Sequence, residues 1–227
     1  MAGIITKELS NFVPTPPSLK RLLFLFITAF CSLFFSTTSS SDTLRVGTTL
    51  WPGYEPLYLA EEIKAFETNN IRMIHYPSTS SVLRAFKHKV LEAAALTLDE
   101  VVFLSESNIP VDIILVLDIS EGADVIIGRP ELKGMQGLIG TTVAVESTAV
   151  GAYVLSRALE VHNIDISQIS LVNVEKSGHH KVAYEQRLAD AVVTFEPVRT
   201  QLLNQGAIEL FTSAEIPGEI VDVLVVH

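Results

Sequence analysis

From residue 44 onward the chain alternates short apolar runs with longer amphipathic ones, and this rhythm restricts the fold more than any other property of the sequence. Runs of strand length lie at 44–48, 71–75, 93–96, 113–117, 125–127, 143–145, 170–174, 191–194 and 221–226. Helix-like runs fill the spaces at 56–66, 80–88, 99–106, 149–162, 180–188 and 198–205. Strand, short connection and helix in turn build βαβ units and mostly parallel sheets, which is the α/β class. With 48% hydrophobic residues in 227, the chain supplies enough core for one large domain or two small ones.

Two stretches echo each other. Residues 91–99 read Leu-Glu-Ala-Ala-Ala-Leu-Thr-Leu-Asp, and 188–197 read Leu-Ala-Asp-Ala-Val-Val-Thr-Phe-Glu-Pro. Each has an acid, a small apolar strand, a Thr and then a carboxylate opening a helix, where side-chain oxygens cap free amides. Pro197 suits the first helical position. The echo suggests two similar α/β lobes. Between them, 117–128 reads as strand, polar turn and strand, the layout of a crossing from one lobe to the other. Residues 216–226 repeat the pattern of Asp among aliphatics and read as the return strand.

The N-terminus has a different character. Lys20 and Arg21 precede fourteen uncharged residues, 22–35, and Ser and Thr fill 36–41. A positive flank, a short apolar run and small polar residues form the layout of a secretory signal peptide, with cleavage expected after Thr38 or Ser40. The run is short of the roughly 20 residues a spanning helix needs. A lipoprotein signal through Cys31 is the rival, disfavoured by the bulky Phe30 before it. Cys31 is the only cysteine, so no internal disulfide forms. A net charge of −10 without a basic cluster in the folded part argues against nucleic acid.

Gly47-Thr48-Thr49-Leu50-Trp51-Pro52-Gly53-Tyr54 joins the first strand to the first helix. Such a loop places a ligand beside strand ends in α/β folds, and its indole and phenol suit a small-molecule pocket. This loop, Thr97-Leu98-Asp99-Glu100, Leu117-Asp118-x-Ser120-x-Gly122-Ala123-Asp124, Leu132-Lys133-Gly134 with Val143-Ala144-Val145-Glu146, and Asp190-Ala191-Val192-Val193-Thr194-x-Glu196-Pro197 follow one order. In that order they resemble the periplasmic substrate-binding proteins of ABC importers, of the nitrate, sulfonate, taurine and thiamine-pyrimidine-precursor type.

The resemblance implies a type II periplasmic-binding fold, with two α/β lobes joined by two crossing strands and the ligand in the cleft. With the signal peptide at 1–41, it places lobe one at 42–127 plus 216–227 and lobe two at 128–215. Family chains continue past the return strand, so this one looks C-terminally truncated at His227, and lobe one is expected to expose apolar surface. The family has Gly at two turns where this chain has Lys89 and Arg187, and a left-handed turn without Gly costs on the order of 1 kcal/mol. Candidate ligand contacts are Thr49, Trp51 and Tyr54 in the first loop, and Thr97 and Asp99 at the next helix start. Asp118 and Ser120 in the crossing, Glu146 and Thr148 after the 143–145 strand, and Glu196 complete the set.

Enzymatic readings find little support. No His-Glu-x-x-His, nucleophile elbow, phosphate loop or dinucleotide fingerprint occurs. His179 and His180 are adjacent, so on a helix they point to different faces and make a poor metal pair. Fungal thiamine-pyrimidine synthases share the implied fold but use a cysteine-rich motif that this chain lacks. No catalytic residue, cofactor or metal is expected. Asp99, Asp118, Asp124, Glu146 and Glu196 make the cleft rim acidic, although each could serve only as a helix or turn cap. An acidic rim disfavours nitrate or a sulfonate and favours an amine, a hydroxylated ring or a pyrimidine stacked near Trp51. The expected function is an extracytoplasmic, monomeric solute-binding protein that delivers a small organic nutrient to an inner-membrane ABC permease. The alternative is a ligand-sensing module of a membrane signalling system.

Overall fold

The computed structural model describes residues 42–227, so the signal peptide and Cys31 lie outside the described residues. Ten strands form two five-stranded sheets. The first sheet contains β1 (Leu44–Thr48), β2 (Ile71–His75), β3 (Ala93–Thr97), β4 (Asp112–Ile119) and β10 (Val221–Val226), in the order β2-β1-β3-β10-β4. The second contains β5 (Val125–Gly128), β6 (Thr142–Val145), β7 (Ser170–Asn173), β8 (Ala191–Thr194) and β9 (Ile208–Thr212), in the order β7-β6-β8-β5-β9. β1 runs parallel to β2 and β3, and β6 runs parallel to β7 and β8. β10 and β5 run against their neighbours. Each sheet therefore has a parallel half and an antiparallel half.

Six α-helices cover the sheets: α1 (Glu55–Glu62), α2 (Thr79–Lys87), α3 (Leu98–Glu106), α4 (Val150–Val161), α5 (Ser177–Glu185) and α6 (Val198–Leu203). The central strands explain their own composition. β3, β5 and β8 are buried at every position, so they read as unbroken small or aliphatic runs rather than alternations. Beside β3, Gly47 leaves room for Leu91, because a β-carbon at 47 would lie 2.3 Å from Leu91 Cδ1. Val82, Phe86, Leu96, Leu104, Val223 and Val225 form the first sheet's core. Ile126, Leu138, Val143, Leu155, Leu159 and Phe211 fill one face of the second.

Three features differ from the sequence reading. Val125–Ile127 was expected in lobe one, but Val125–Gly128 pairs with β8 and β9 of the second sheet. The chain crosses between the sheets just before it, at 120–124, and again at 213–220. β9 was not expected at all. Pro197 is the N-cap of α6 rather than its first helical residue, and it follows a cis Glu196–Pro197 bond.

The crossings are tied together. Ser120 N–H donates to Ile220 O at 3.0 Å, and Ser213 N–H donates to Asp124 O at 2.8 Å. The Ser120 and Ser213 hydroxyls lie 2.9 Å apart, and Gly122 N–H donates to Ser213 Oγ at 2.6 Å.

Lys89 and Arg187, which stand where the resembling family turns on Gly, have φ of 56° and 57°. Both are left-handed and exposed. β4, at the edge of the first sheet, exposes Ile113, Ile114, Leu115, Val116 and Ile119 by 45–57% each. Successive residues of a strand face opposite sides, so β4 is uncovered on both faces. No helix of the described residues is long and apolar enough to cross a membrane.

Candidate functional site

Strand register assembles the base of the site. β10 places Asp222 opposite Thr97 of β3 on one side and Asp118 of β4 on the other. Three polar residues thus stand abreast at one end of the first sheet. The loop after β1 folds over them as a single 3-10 turn, Pro52–Tyr54. Gly53 permits that approach, since a β-carbon there would lie 2.5 Å from both Asp118 Oδ2 and Trp51 Nε1. Tyr54 Oη donates to Asp222 Oδ1 at 2.6 Å. Tyr58 Oη donates to the Thr49 carbonyl at 2.8 Å and pins the loop's start.

The second sheet supplies the opposite wall. Phe195, just after β8, meets Trp51 edge to face with centroids 5.6 Å apart. Between the walls lies a cavity of about 20 Å³, lined by Thr49, Trp51, Tyr54, Thr79, Thr97, Asp124, Val150, Phe195 and Asp222. Four atoms on this lining are buried without a hydrogen-bond partner: Trp51 Nε1, Thr97 Oγ1, Asp124 Oδ2 and Asp222 Oδ2. Buried polar groups are nearly always paired, so four orphans on one small cavity call for a partner from outside the chain.

The electrostatics follow from burial. Burial pushes the Asp222 carboxyl up to about 7, against the Tyr54 hydroxyl that favours its anion, with Asp124 and Asp118 raising it further. The Trp51 indole N–H lies close enough to favour the anion slightly, yet completes no hydrogen bond. Burial pushes Asp124 up to about 6, opposed by the Ser120 hydroxyl. Glu100 is raised well above its ordinary value, by burial first and then by Asp99. Its Oε2 accepts from Thr97 N–H at 3.0 Å and its Oε1 has no partner.

Above this base the sheets are joined by two polar contacts. Glu146, after β6, accepts from Ser80 N–H of α2 at 2.8 Å. Thr148 Oγ1 lies 2.6 Å from Ser80 Oγ. The free amides of a helix start attract an anion, and at α2 the protein's own carboxylate from the opposite sheet fills that role. Beside these contacts opens a larger pocket of about 630 Å³, lined among others by Arg84, Lys87, Asp99, Phe103 and Tyr153. The sequence motifs offered no cation near the cleft, but α2 places Arg84 and Lys87 here.

The ten expected contacts therefore separate. Thr49, Trp51, Tyr54 and Thr97 line the small cavity. Asp118 lies under Gly53, beside that cavity rather than on it. Glu146 and Thr148 bridge the sheets, and Asp99 lines the larger pocket. Ser120 belongs to the tied crossings. Glu196 turns away to its own helix, accepting from Arg199, Thr200 N–H and the Thr200 hydroxyl. Asp222, Phe195 and Thr79 were not anticipated as contacts. Asp222 carried one sequence signal, a lone acid within an aliphatic strand.

His180 is buried on α5, with Nδ1 3.1 Å from Thr194 Oγ1 and Nε2 unpaired. Burial lowers it to about 4. Among the described residues no group of His, Cys, Asp and Glu could hold a metal ion.

Solved structures with the same fold include three binding proteins. The periplasmic aliphatic sulphonate binding protein SsuA from Escherichia coli matches at 18% identity and a TM-score of 0.69, over 82% of this chain and 65% of that one. The alkanesulfonate-binding protein SsuA from Xanthomonas axonopodis pv. citri, bound to MOPS, matches at 16% and 0.69, over 81% and 65%. The periplasmic nitrate-binding protein NrtA from Synechocystis PCC 6803 matches at 13% and 0.66, over 83% and 56%. The chain thus spans less than two thirds of the length of these proteins. No curated protein matches. The two lobes and two crossings are the type II periplasmic-binding fold, and a family model matches residues 37–227. The chain belongs to the NMT1-like family.

Proposed function

We propose that this chain is the extracytoplasmic solute-binding component of an ABC importer. It takes a small organic nutrient between its lobes and delivers it to an inner-membrane permease, acting as a monomer without cofactor. One observation carries the reading: Trp51 of the first sheet and Phe195 of the second close over a cavity whose polar lining has four unpaired atoms. A cleft that shuts on polar groups lacking partners is suited to a guest that supplies them. The family and the fold of its neighbours favour transport over catalysis. Removal of residues 1–41 as a signal peptide would release the folded part into the periplasm.

The test is a thermal-shift screen of amines, pyrimidines and sulfonates, repeated with Trp51→Ala. A solute that raises the melting temperature of the wild type and not of the variant supports the reading. A full screen without such a solute sinks it.

A further inference from the structure

We propose that the base of the cleft selects a primary amine carrying a neighbouring hydroxyl or carbonyl oxygen, an amino alcohol being the simplest case. This rests on the binding-protein reading above and names the ligand class for the same site.

The orphaned atoms define the class. Asp124 Oδ2 and Asp222 Oδ2 are acceptors without donors on one cavity, and Thr97 Oγ1, a hydroxyl at the capping position of α3 that completes no hydrogen bond, can accept as well. Their residues are only 4%, 2% and 4% exposed. An ammonium group carries three donors and no acceptor, so it matches three acceptors one for one. The fourth orphan, Trp51 Nε1, is a donor and needs an oxygen on the same ligand.

The surroundings favour the same charge. No Lys or Arg lines the cavity. Asp118, Asp99 and Glu100 add carboxyls around it, acting on Asp124, Asp222 and the Tyr54 hydroxyl. An anionic ligand would meet two buried carboxyls, and the start of α2 is already taken by Glu146. Arg84 and Lys87 stand in the outer pocket, not on this lining.

Trp51 is the only tryptophan in the chain, so its emission reports the cleft directly. Ethanolamine, serinol, taurine, methanesulfonate and nitrate are titrated at pH 8 while that emission is followed, and the heats are measured by calorimetry. Ethanolamine and serinol are expected to change the emission saturably, and taurine, with the same amine but a sulfonate, to bind at least tenfold more weakly. Asp124→Asn and Asp222→Asn should each weaken ethanolamine at least tenfold. Thr97→Val, which leaves both carboxyls intact, should weaken it severalfold if the Asn variants do not fold. Saturable binding of methanesulfonate or nitrate without the amino alcohols overturns the amine class and leaves the binding-protein reading standing. Silence from every probe also overturns the amine class, and the broad thermal-shift screen then decides the wider reading separately.

Discussion

The rings of Trp51 and Phe195 stand edge to face at an interplanar angle of 81°, and each belongs to a different sheet. Their contact is therefore part of cleft closure and not only of one lobe's core. An aromatic anchor at such a centre is worth about 2 kcal/mol or more in binding. Trp51→Ala should raise the Kd of any cleft ligand by about 30-fold, which is that energy converted. Calorimetry checks this, with circular dichroism verifying the fold. Unchanged affinity would make Trp51 an edge of the core and nothing more.

Asp124 and Asp222 set a pH dependence of stability. Both are raised, to about 6 and about 7, from ordinary values near 3.8. Between pH 4 and 7 the folded chain keeps protons that the unfolded chain has lost, so unfolding releases protons and rising pH favours it. The contribution of these groups is complete below about pH 4 and fades as pH climbs through 6 to 7. Asp222→Asn, which leaves an oxygen to accept from Tyr54, should change little at pH 4. At pH 8 it should stabilise by on the order of 4 kcal/mol, since the carboxyl is raised from 3.8 to about 7 and one pKa unit is about 1.4 kcal/mol. Thermal unfolding at both pH values tests this; a variant less stable than wild type at pH 8 contradicts it.

Lys89 and Arg187 are held left-handed by their turns, and neither is packed. Lys89 N–H donates to Phe86 O, and Arg187 N–H donates to Tyr184 O, so the backbone and not the side chain fixes each turn. Lys89→Gly and Arg187→Gly should each stabilise the fold by up to about 1 kcal/mol. Urea titration reads the shift in midpoint, and a loss of stability in both would show that the turns tolerate the β-carbon without strain.

β4 has one strand neighbour and apolar residues open on both faces. Local opening is easiest where few buried contacts oppose it. Amide exchange should be faster across 44–116 than across 143–194. Equal protection in the two stretches would mean that the uncovered edge does not loosen the first sheet.

Much of the fold was readable because its signals are local. β1, β2, β8 and β10 announce themselves as short apolar runs ended by turn residues, and Thr97 before Leu98-Asp99-Glu100 marks the start of α3. β9 was lost because Glu209 breaks a five-residue segment that follows Gly206 and Ala207 at the end of a helix. The assignment of β5 was missed because nothing in Val125-Ile126-Ile127 says which sheet it joins; pairing with Phe211 and Val193 decides that. The site divides in the same way. Trp51 and Tyr54 were legible from a loop between strand and helix. Asp222 became a contact only through its register opposite Thr97, and Glu146 found its partner, Ser80, across 66 residues of sequence. Such relationships are made by folding and leave no pattern in neighbouring residues.

The bond between the Ser120 and Ser213 hydroxyls has a mechanical consequence. Two separate straps between the lobes could bend by different amounts, letting one lobe roll or skew against the other. Here Ser213 grips Ser120 and Gly122 together, and its own amide holds Asp124. The straps are fastened at one point, so they must flex in unison. An opening about that point would part the lobes like the covers of a book on a single spine, keeping Asp124, on that spine, near the base of the cleft and carrying Phe195 away from Trp51.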